Sequence, residues 1–190
     1  MNVIRLAAFA CRTTSRARSA AGSIGHQPHA AMGRTPEGAP YLVLERLEGE
    51  TLEQRIARGV LSGEEAARVG VALLDALDAV HAVGIVHRDV KPANVFLCAG
   101  TSPPAVKLLD FGVARSDDGP SVTREGTAVG TPAYMAPEHV LGERVDARAD
   151  VYAVGATLYE ALGGRVPFAV HGARLAKAIV LDELTALVEL

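Results

Sequence analysis

Three polar side chains with different chemistry lie close together near the centre of the chain. Asp89 can accept a proton, Lys91 carries a positive charge, and Asn94 offers an amide oxygen to a hard metal ion. A second carboxylate, Asp110, follows the strand-like run Val-Lys-Leu-Leu at 106–109. A base, a cation and two oxygen ligands in this pattern indicate metal-assisted transfer of a phosphoryl group. Taken alone, however, an aspartate in a loop is more often a residue that caps a turn.

The residues around this group extend the pattern. Positions 87–94 read His-Arg-Asp-Val-Lys-Pro-Ala-Asn, positions 110–112 read Asp-Phe-Gly, and positions 136–138 read Ala-Pro-Glu. From about Tyr41 to Phe168 the chain resembles the eukaryotic-like Ser/Thr protein kinases of bacteria, in which these motifs form the catalytic and magnesium-binding loops. The resemblance implies a phosphotransferase that uses ATP and Mg²⁺ and acts on Ser or Thr hydroxyls of a protein substrate.

The resemblance assigns a role to each residue of the catalytic group. Asp89 would accept the proton of the substrate hydroxyl, Lys91 would contact the transferring phosphate, and Thr131 would bridge the two. Asn94 and Asp110 would hold Mg²⁺ through their oxygen atoms.

Further roles implied by the resemblance are regulatory or structural. Arg88 would receive a phosphorylated activation-loop residue, because a guanidinium fork suits a doubly charged phosphate. Thr123 matches the phosphoacceptor position best and Thr127 lies near it, although ordinary loop composition also explains such hydroxyls. His87 would pack under Phe111 and so orient the magnesium loop of Asp110, Phe111 and Gly112, and Asp150 would accept hydrogen bonds from the catalytic-loop backbone. In relatives the residue at Glu138 pairs with an arginine late in the domain; that part is missing here, so Glu138 is expected to be unpaired or exposed.

The expected nucleotide pocket rests on the resemblance alone. Leu44 would guard the adenine pocket, and the backbones of Glu45 and Leu47 would hydrogen-bond the base. Phe96 would form the floor of the pocket. Any apolar strand could supply residues of these types, so the residue types themselves do not support a nucleotide pocket.

The local sequence predicts the strands that carry these residues. Tyr41-Leu42-Val43-Leu44 is a short apolar run after a turn-like segment and predicts a strand. The runs at 95–97 and 106–109 flank Gly-Thr-Ser-Pro-Pro at 100–104 and predict a hairpin.

Helices are predicted by capping boxes and by periodicity. Thr51 with Gln54 predicts a helix over 52–58, and Ser62 with Glu65 predicts an amphipathic helix that runs to about Val83. Residues 151–162 are apolar nearly all round, which predicts a core helix, and 173–188 predict another amphipathic helix.

Composition bounds the remaining possibilities. The chain has 190 residues, 49% hydrophobic and 22% charged, which is ordinary for one globular domain with a real core. Residues 1–36 contain five arginines and no acidic residue, so this arm carries +5 and the remainder −8. Because the arm does not interleave its arginines with a series of aromatic residues and the rest of the chain is acidic, nucleic-acid binding is disfavoured. Two cysteines fit a reducing cytoplasm, and no apolar run is long enough for a membrane span.

The expected organisation is a basic, mostly disordered arm at 1–36 and a partial protein kinase domain at 37–190. Its fold class is α+β and mainly helical, a kinase-like C-terminal lobe with the N-lobe largely absent and the last helices missing. Protein kinases position ATP with a lysine on a strand that is paired with a glutamate on a helix. Lys91 is the first lysine in the chain and Glu37 is the first acidic residue, so this pair cannot form within the residues before the strand at Tyr41. Impaired transfer is expected for the truncated chain. The alternatives are a non-catalytic kinase-like binding module, docked for example on a full-length kinase, or a non-functional gene fragment.

Overall fold

The computed structural model describes residues 9–10, 31–109, 132–184 and 186–187. The strands are β1 (Phe9–Ala10), β2 (Ala31–Arg34), β3 (Pro40–Val43), β4 (Gly49–Thr51), β5 (Val95–Cys98) and β6 (Ala105–Leu108). The helices are α1 (Leu52–Ile56), α2 (Gly63–His81), α3 (Pro137–Val140), α4 (Ala147–Gly163) and α5 (Ala173–Leu181). Single 3₁₀ turns lie at Pro92–Asn94 and Pro132–Tyr134.

Helix α2 begins at a capping box, as predicted. The Ser62 hydroxyl accepts a hydrogen bond from the Glu65 N–H at 3.3 Å, and the Glu65 carboxylate accepts one from the Ser62 N–H at 2.9 Å. The apolar residues of the predicted stripe are all buried: Ala66, Val69, Leu73, Leu77 and Val80. Burial of this stripe, more than helix propensity, keeps the helix in place.

Helix α4 packs directly against α2. Asp146 caps its first turn, and Gly164 follows its end with φ of 69°, a conformation that glycine adopts without strain. The two helices approach closely at Gly70, where a Cβ would lie 2.9 Å from Leu158 Cδ1. Most of α4 is buried, as its composition predicts, but Val151 is 52% exposed. The uncovered side of the helix is therefore narrow.

The strands form two separate antiparallel sheets. One has the order β1-β6-β5-β4, and the other pairs β2 with β3. In the larger sheet Val95 is opposite Leu108, and both are fully buried against α2 and its neighbours. Phe96 is opposite Lys107 and also opposite Thr51. Directly opposed residues point to the same face of a sheet. One face of the larger sheet therefore packs against the core, and the other face carries Thr51, Phe96 and Lys107.

Several boundaries differ from the predicted ones. Strand β3 ends at Val43 and α1 at Ile56, whereas α2 ends at His81 and α5 at Leu181. Strands β1 and β2 both lie inside the arm for which the sequence predicts no regular element. Strand β1 pairs with β6, and β2 forms because its backbone pairs with β3 across a turn at 35–39. Such pairing depends on the partner strand, which periodicity does not reveal. None of the helices within the described ranges is both long and apolar enough to cross a bilayer.

Candidate active site

The loop between α2 and β5 brings Asp89, Lys91 and Asn94 together. Lys91 Nζ lies 2.8 Å from Asp89 Oδ2 and 3.1 Å from Oδ1. Asn94 Nδ2 donates to the Asp89 backbone oxygen at 2.8 Å and to Oδ2 at 2.9 Å. The 3₁₀ turn at 92–94 turns the Asn94 side chain back toward the aspartate, which explains the spacing of the motif. One carboxylate is thus held by a cation and an amide, while its own side chain stays 26% exposed.

The side chain of Asp150, on α4, anchors this loop through hydrogen bonds. Its carboxylate accepts the backbone N–H groups of His87 and Arg88, each at 2.8 Å. Its Oδ2 also lies 2.7 Å from His81 Nε2, at the end of α2. Asp150 is only 1% exposed, and a buried carboxylate requires such partners. The anchored loop includes Arg88, whose φ of 63° is unusual for a residue with a side chain.

His87 connects the same loop to the end of β6. The ring is fully buried, and its Nε2 lies 3.1 Å from the backbone oxygen of Leu109. The Asp89 N–H donates to His87 Nδ1 at 3.3 Å, so Nδ1 is the acceptor and Nε2 carries the proton. This tautomer ties the residue before Asp110 to the loop that carries Asp89, which supports a structural role for His87.

Of the residues expected to contact a nucleotide base, Glu45 is linked by an ion pair to the Phe96 face of the larger sheet. Leu44 and Leu47 are half-buried in the irregular segment 44–48. Glu45 Oε2 is 2.5 Å from Lys107 Nζ, and Lys107 is directly opposite Phe96. The structure therefore brings Glu45 to the same face as Phe96.

Some predicted residues cannot be related to this geometry. Six of them lie outside the described residues: Asp110, Phe111, Gly112, Thr123, Thr127 and Thr131. Glu138, in contrast, is described and half-buried at the start of α3. Within the described ranges it forms no ion pair.

Sequence reasoning missed three residues that contribute to the site. His81 and Lys107 contact predicted residues, and Tyr134 donates a hydrogen bond to Glu160 at 2.5 Å. Burial, and then this bond, raises the pKa of Tyr134 well above its usual value, so its hydroxyl stays a donor. A signal existed for Lys107, because it alternates with the buried residues of a strand. The contacts of His81 with Asp150 and of Tyr134 with Glu160 join distant parts of the chain, so no local sequence pattern indicates them.

The fold and this loop define a protein kinase domain, and comparison with known sequences agrees. The chain matches the protein kinase domain family over residues 32–189. It is 38% identical over 156 residues to a probable serine/threonine-protein kinase PknB of Corynebacterium glutamicum, covering 77% of this chain and 24% of the relative. It is 43% identical over 166 residues to the serine/threonine-protein kinase Pkn1 of Myxococcus xanthus, covering 85% of this chain and 23% of the relative.

A third relative agrees with these two. It is 44% identical over 138 residues to the serine/threonine-protein kinase PknB of Mycobacterium tuberculosis, covering 70% of this chain and 22% of the relative. The chain belongs to the protein kinase family, among the eukaryotic-like Ser/Thr kinases of bacteria. It matches about a quarter of the length of these relatives.

Proposed function

We propose that this chain supplies the catalytic-loop lobe of a Ser/Thr protein kinase, for Mg²⁺-dependent phosphoryl transfer from ATP to a protein hydroxyl. The observation that carries the proposal is the contact of Asp89 with both Lys91 and Asn94 on a loop anchored by Asp150. Positioning and charge neutralisation are the main demands of phosphoryl transfer, and this loop provides both.

The donor set of the loop fits Mg²⁺. Asn94 is 3% exposed and uses its amide nitrogen toward Asp89, which leaves its amide oxygen for a metal ion. With Asp110 as the second ligand, the site would hold Mg²⁺ through two side-chain oxygens, the number that this ion usually takes from a protein. Bound Mg²⁺ would neutralise charge on the phosphate oxygens during transfer.

The chain's own groups would handle the proton and the phosphate charge. Asp89 would receive the proton of the substrate hydroxyl as the hydroxyl oxygen bonds to the γ-phosphorus of ATP and the bond from that phosphorus to the β–γ bridging oxygen breaks, which releases ADP. Lys91, which spans both carboxylate oxygens at 2.8 and 3.1 Å, would turn its third N–H toward the transferring phosphate. Thr131 would bridge these two residues, and a phosphorylated Thr123 or Thr127 would bind Arg88. Asp150 would keep the loop in this conformation throughout.

The nucleotide base would lie between the segment 44–48 and the floor strand. Leu44 and Leu47 would contact the base, the backbones at Glu45 and Leu47 would recognise its edge, and Phe96 would pack beneath it. The half-buried state of the two leucines supports this assignment, because it leaves them apolar surface for a ligand.

The domain organisation that we propose is a basic arm followed by a kinase C-terminal lobe. We place the boundary before β2, whose pairing with β3 joins residues 31–34 to the lobe; within the arm, the two residues of β1 pair with the edge of the larger sheet at β6. No lysine precedes Lys91 in this chain, so the positive charge that other kinases place over the ATP phosphates from a strand is not supplied here. Loss of a positioned charge costs orders of magnitude in rate, and the chain alone should transfer phosphate negligibly.

The test is a chimera. The N-terminal lobe of a related bacterial kinase, with its Gly-rich loop and strand lysine, is joined before residue 31. We expect transfer of labelled phosphate to a generic Ser/Thr substrate by the chimera and not by the chain alone. Asp89→Asn should lower the chimera's rate by at least about 10²-fold, the usual contribution of a general base.

A measurement of nucleotide binding distinguishes a chimera that cannot bind ATP from one that binds ATP but does not transfer phosphate. The chain alone should bind Mg²⁺-ATP with a Kd near the millimolar range, about 4 kcal/mol, as measured by calorimetry. A folded chimera that binds ATP but transfers nothing would refute the proposed function. So would an Asp89→Asn chimera as active as its parent.

A further inference from the structure

An ion pair joins two distant parts of the chain beside the proposed nucleotide pocket. Lys107 Nζ lies 2.5 Å from Glu45 Oε2, and the two residues are 62 positions apart. Glu45 belongs to the irregular segment 44–48, whereas Lys107 lies in β6. The Lys107 side chain is 16% exposed, and that of Glu45 is 53% exposed. The lysine is therefore largely enclosed and its partner reaches in from the surface.

The sheet register fixes the face on which the pair lies. Val106 and Leu108, the neighbours of Lys107 in β6, are buried in the core. Lys107 therefore points to the opposite face, where it is directly across from Phe96. This is the face on which the proposed pocket has its floor, so the ion pair connects the segment 44–48 to the strand directly beside Phe96.

The pair is better suited to fixing geometry than to adding stability. Enclosing an ammonium group costs desolvation energy that its partner only partly offsets, and an apolar residue is often as stable in such a place. What the pair does supply is a specific link between two backbone segments.

The segment 44–48 needs such a link. It has no regular hydrogen-bonded structure, and its far end is tied to the sheet where the Ala99 N–H donates to the Glu48 backbone oxygen at 2.7 Å. The Glu45–Lys107 pair ties the near end. With both ends fixed, the backbone groups between them stay at a set distance from Phe96, and little ordering is required when a ligand binds.

We propose that the Glu45–Lys107 ion pair is a clasp that holds the segment 44–48 over Phe96 and so sets the affinity for the nucleotide base. Lys107 is then a positioning residue that does not itself contact the nucleotide. The inference rests on the proposed function, because it assumes that a base occupies this space.

Adenosine is the appropriate probe, since it lacks phosphates and its binding does not depend on the metal ligands. We expect Lys107→Met and Glu45→Gln each to weaken adenosine binding about threefold to tenfold in calorimetry, the effect of losing one partly enclosed ion pair. Lys107→Arg should retain most of the affinity. The charge-exchanged double variant, Glu45→Lys with Lys107→Glu, should also recover it, because the link is restored with its polarity reversed.

A matched control is available on the other face of the same sheet. Glu50 forms an ion pair with Arg58, and Glu50 is opposite Leu97 in the register, away from Phe96. Arg58→Met removes an ion pair near the same strands whose cation is largely exposed, since the Arg58 side chain is 61% exposed. It should leave adenosine affinity unchanged.

Hydrogen exchange of the backbone amides at 44–48 provides a readout that needs no nucleotide. Exchange should be faster in Lys107→Met and Glu45→Gln than in the wild type, and normal in Arg58→Met. If the wild type binds no adenosine, the proposed nucleotide site fails, and faster exchange in these two variants alone would still support the clasp.

Two results would overturn the clasp. One is unchanged exchange at 44–48 in both single variants. The other is lost adenosine affinity that the charge-exchanged variant does not recover, because this would mean that Lys107 contacts the nucleotide directly. If Lys107→Met does not fold, Glu45→Gln alone tests the clasp, because it changes only a half-exposed side chain.

Discussion

Replacing Asp150 by Asn tests how strongly the buried carboxylate holds the catalytic loop. Asn keeps the size of the side chain but replaces one oxygen by an NH₂ group. Only one of the backbone N–H groups of His87 and Arg88 then keeps an acceptor, and the other faces a second donor. The contact with His81 also loses its charge.

The expected cost follows from these contacts. A hydrogen bond to a charged group contributes about 1.5–3 kcal/mol, and a buried N–H left without an acceptor costs about 1–3 kcal/mol. We therefore expect a loss of about 3–5 kcal/mol in the free energy of unfolding, which is a large part of the roughly 5–15 kcal/mol of a typical domain. The backbone of Arg88, strained by about 1–3 kcal/mol at φ of 63°, would then relax and displace Asp89.

Urea denaturation followed by circular dichroism measures the loss, and hydrogen exchange at residues 87–91 measures the relaxation of the loop. Asp75→Asn is the control, because Asp75 is exposed on α2 and should tolerate the change within about 0.5 kcal/mol. A loss below about 1 kcal/mol for Asp150→Asn, with exchange in the loop unchanged, would refute the view that Asp150 anchors the loop.

Three further variants test packing and pH dependence. Gly70→Ala should destabilise the domain by about 1–3 kcal/mol, because its Cβ would lie 2.9 Å from a Leu158 methyl, and a higher melting temperature would contradict this. Gly155→Ala, on an exposed part of α4 with no atom within 4 Å of the new Cβ, should instead stabilise it by about 0.5–1 kcal/mol in the same thermal scan. Hydrogen bonds from Ser62 lower the pKa of Glu65 in the folded state. Ionised Glu65 therefore stabilises the fold at any pH above its unfolded pKa of about 4.3. This stabilisation is lost as the pH falls through the lower pKa of the folded state. The melting temperature should fall on acidification from about pH 5 to 3, and less steeply in Glu65→Gln; equal slopes would count against this role.

The features that the sequence predicted correctly are those set by neighbouring residues. Both capping boxes form as Thr51 with Gln54 and Ser62 with Glu65 indicate, because each needs only a hydroxyl and a side chain three residues later. The contacts of Asp89 are equally local, since their partners lie two and five positions along the chain. Such geometry follows from spacing alone.

The contacts that the sequence did not predict join distant positions. His81 and Asp150 are 69 residues apart, and Tyr134 and Glu160 are 26 apart. Nothing near either residue signals its partner, because helix packing alone brings them together. The ends of the predicted helices fail for a related reason: Ala82 and Val83 continue the apolar pattern of α2, but a turn replaces the helix there.

The alternation along β5 and β6 determines where the chain can change in length. One residue added within β6 would turn Lys107 into the core and Val106 out of it, so the strands should not tolerate insertions or deletions. The connection at 99–104 is exposed and lies at the end of the hairpin remote from Asn94, about 13 Å away for a four-residue strand. It is therefore the natural place for a peptide tag or a fluorescent label in this protein.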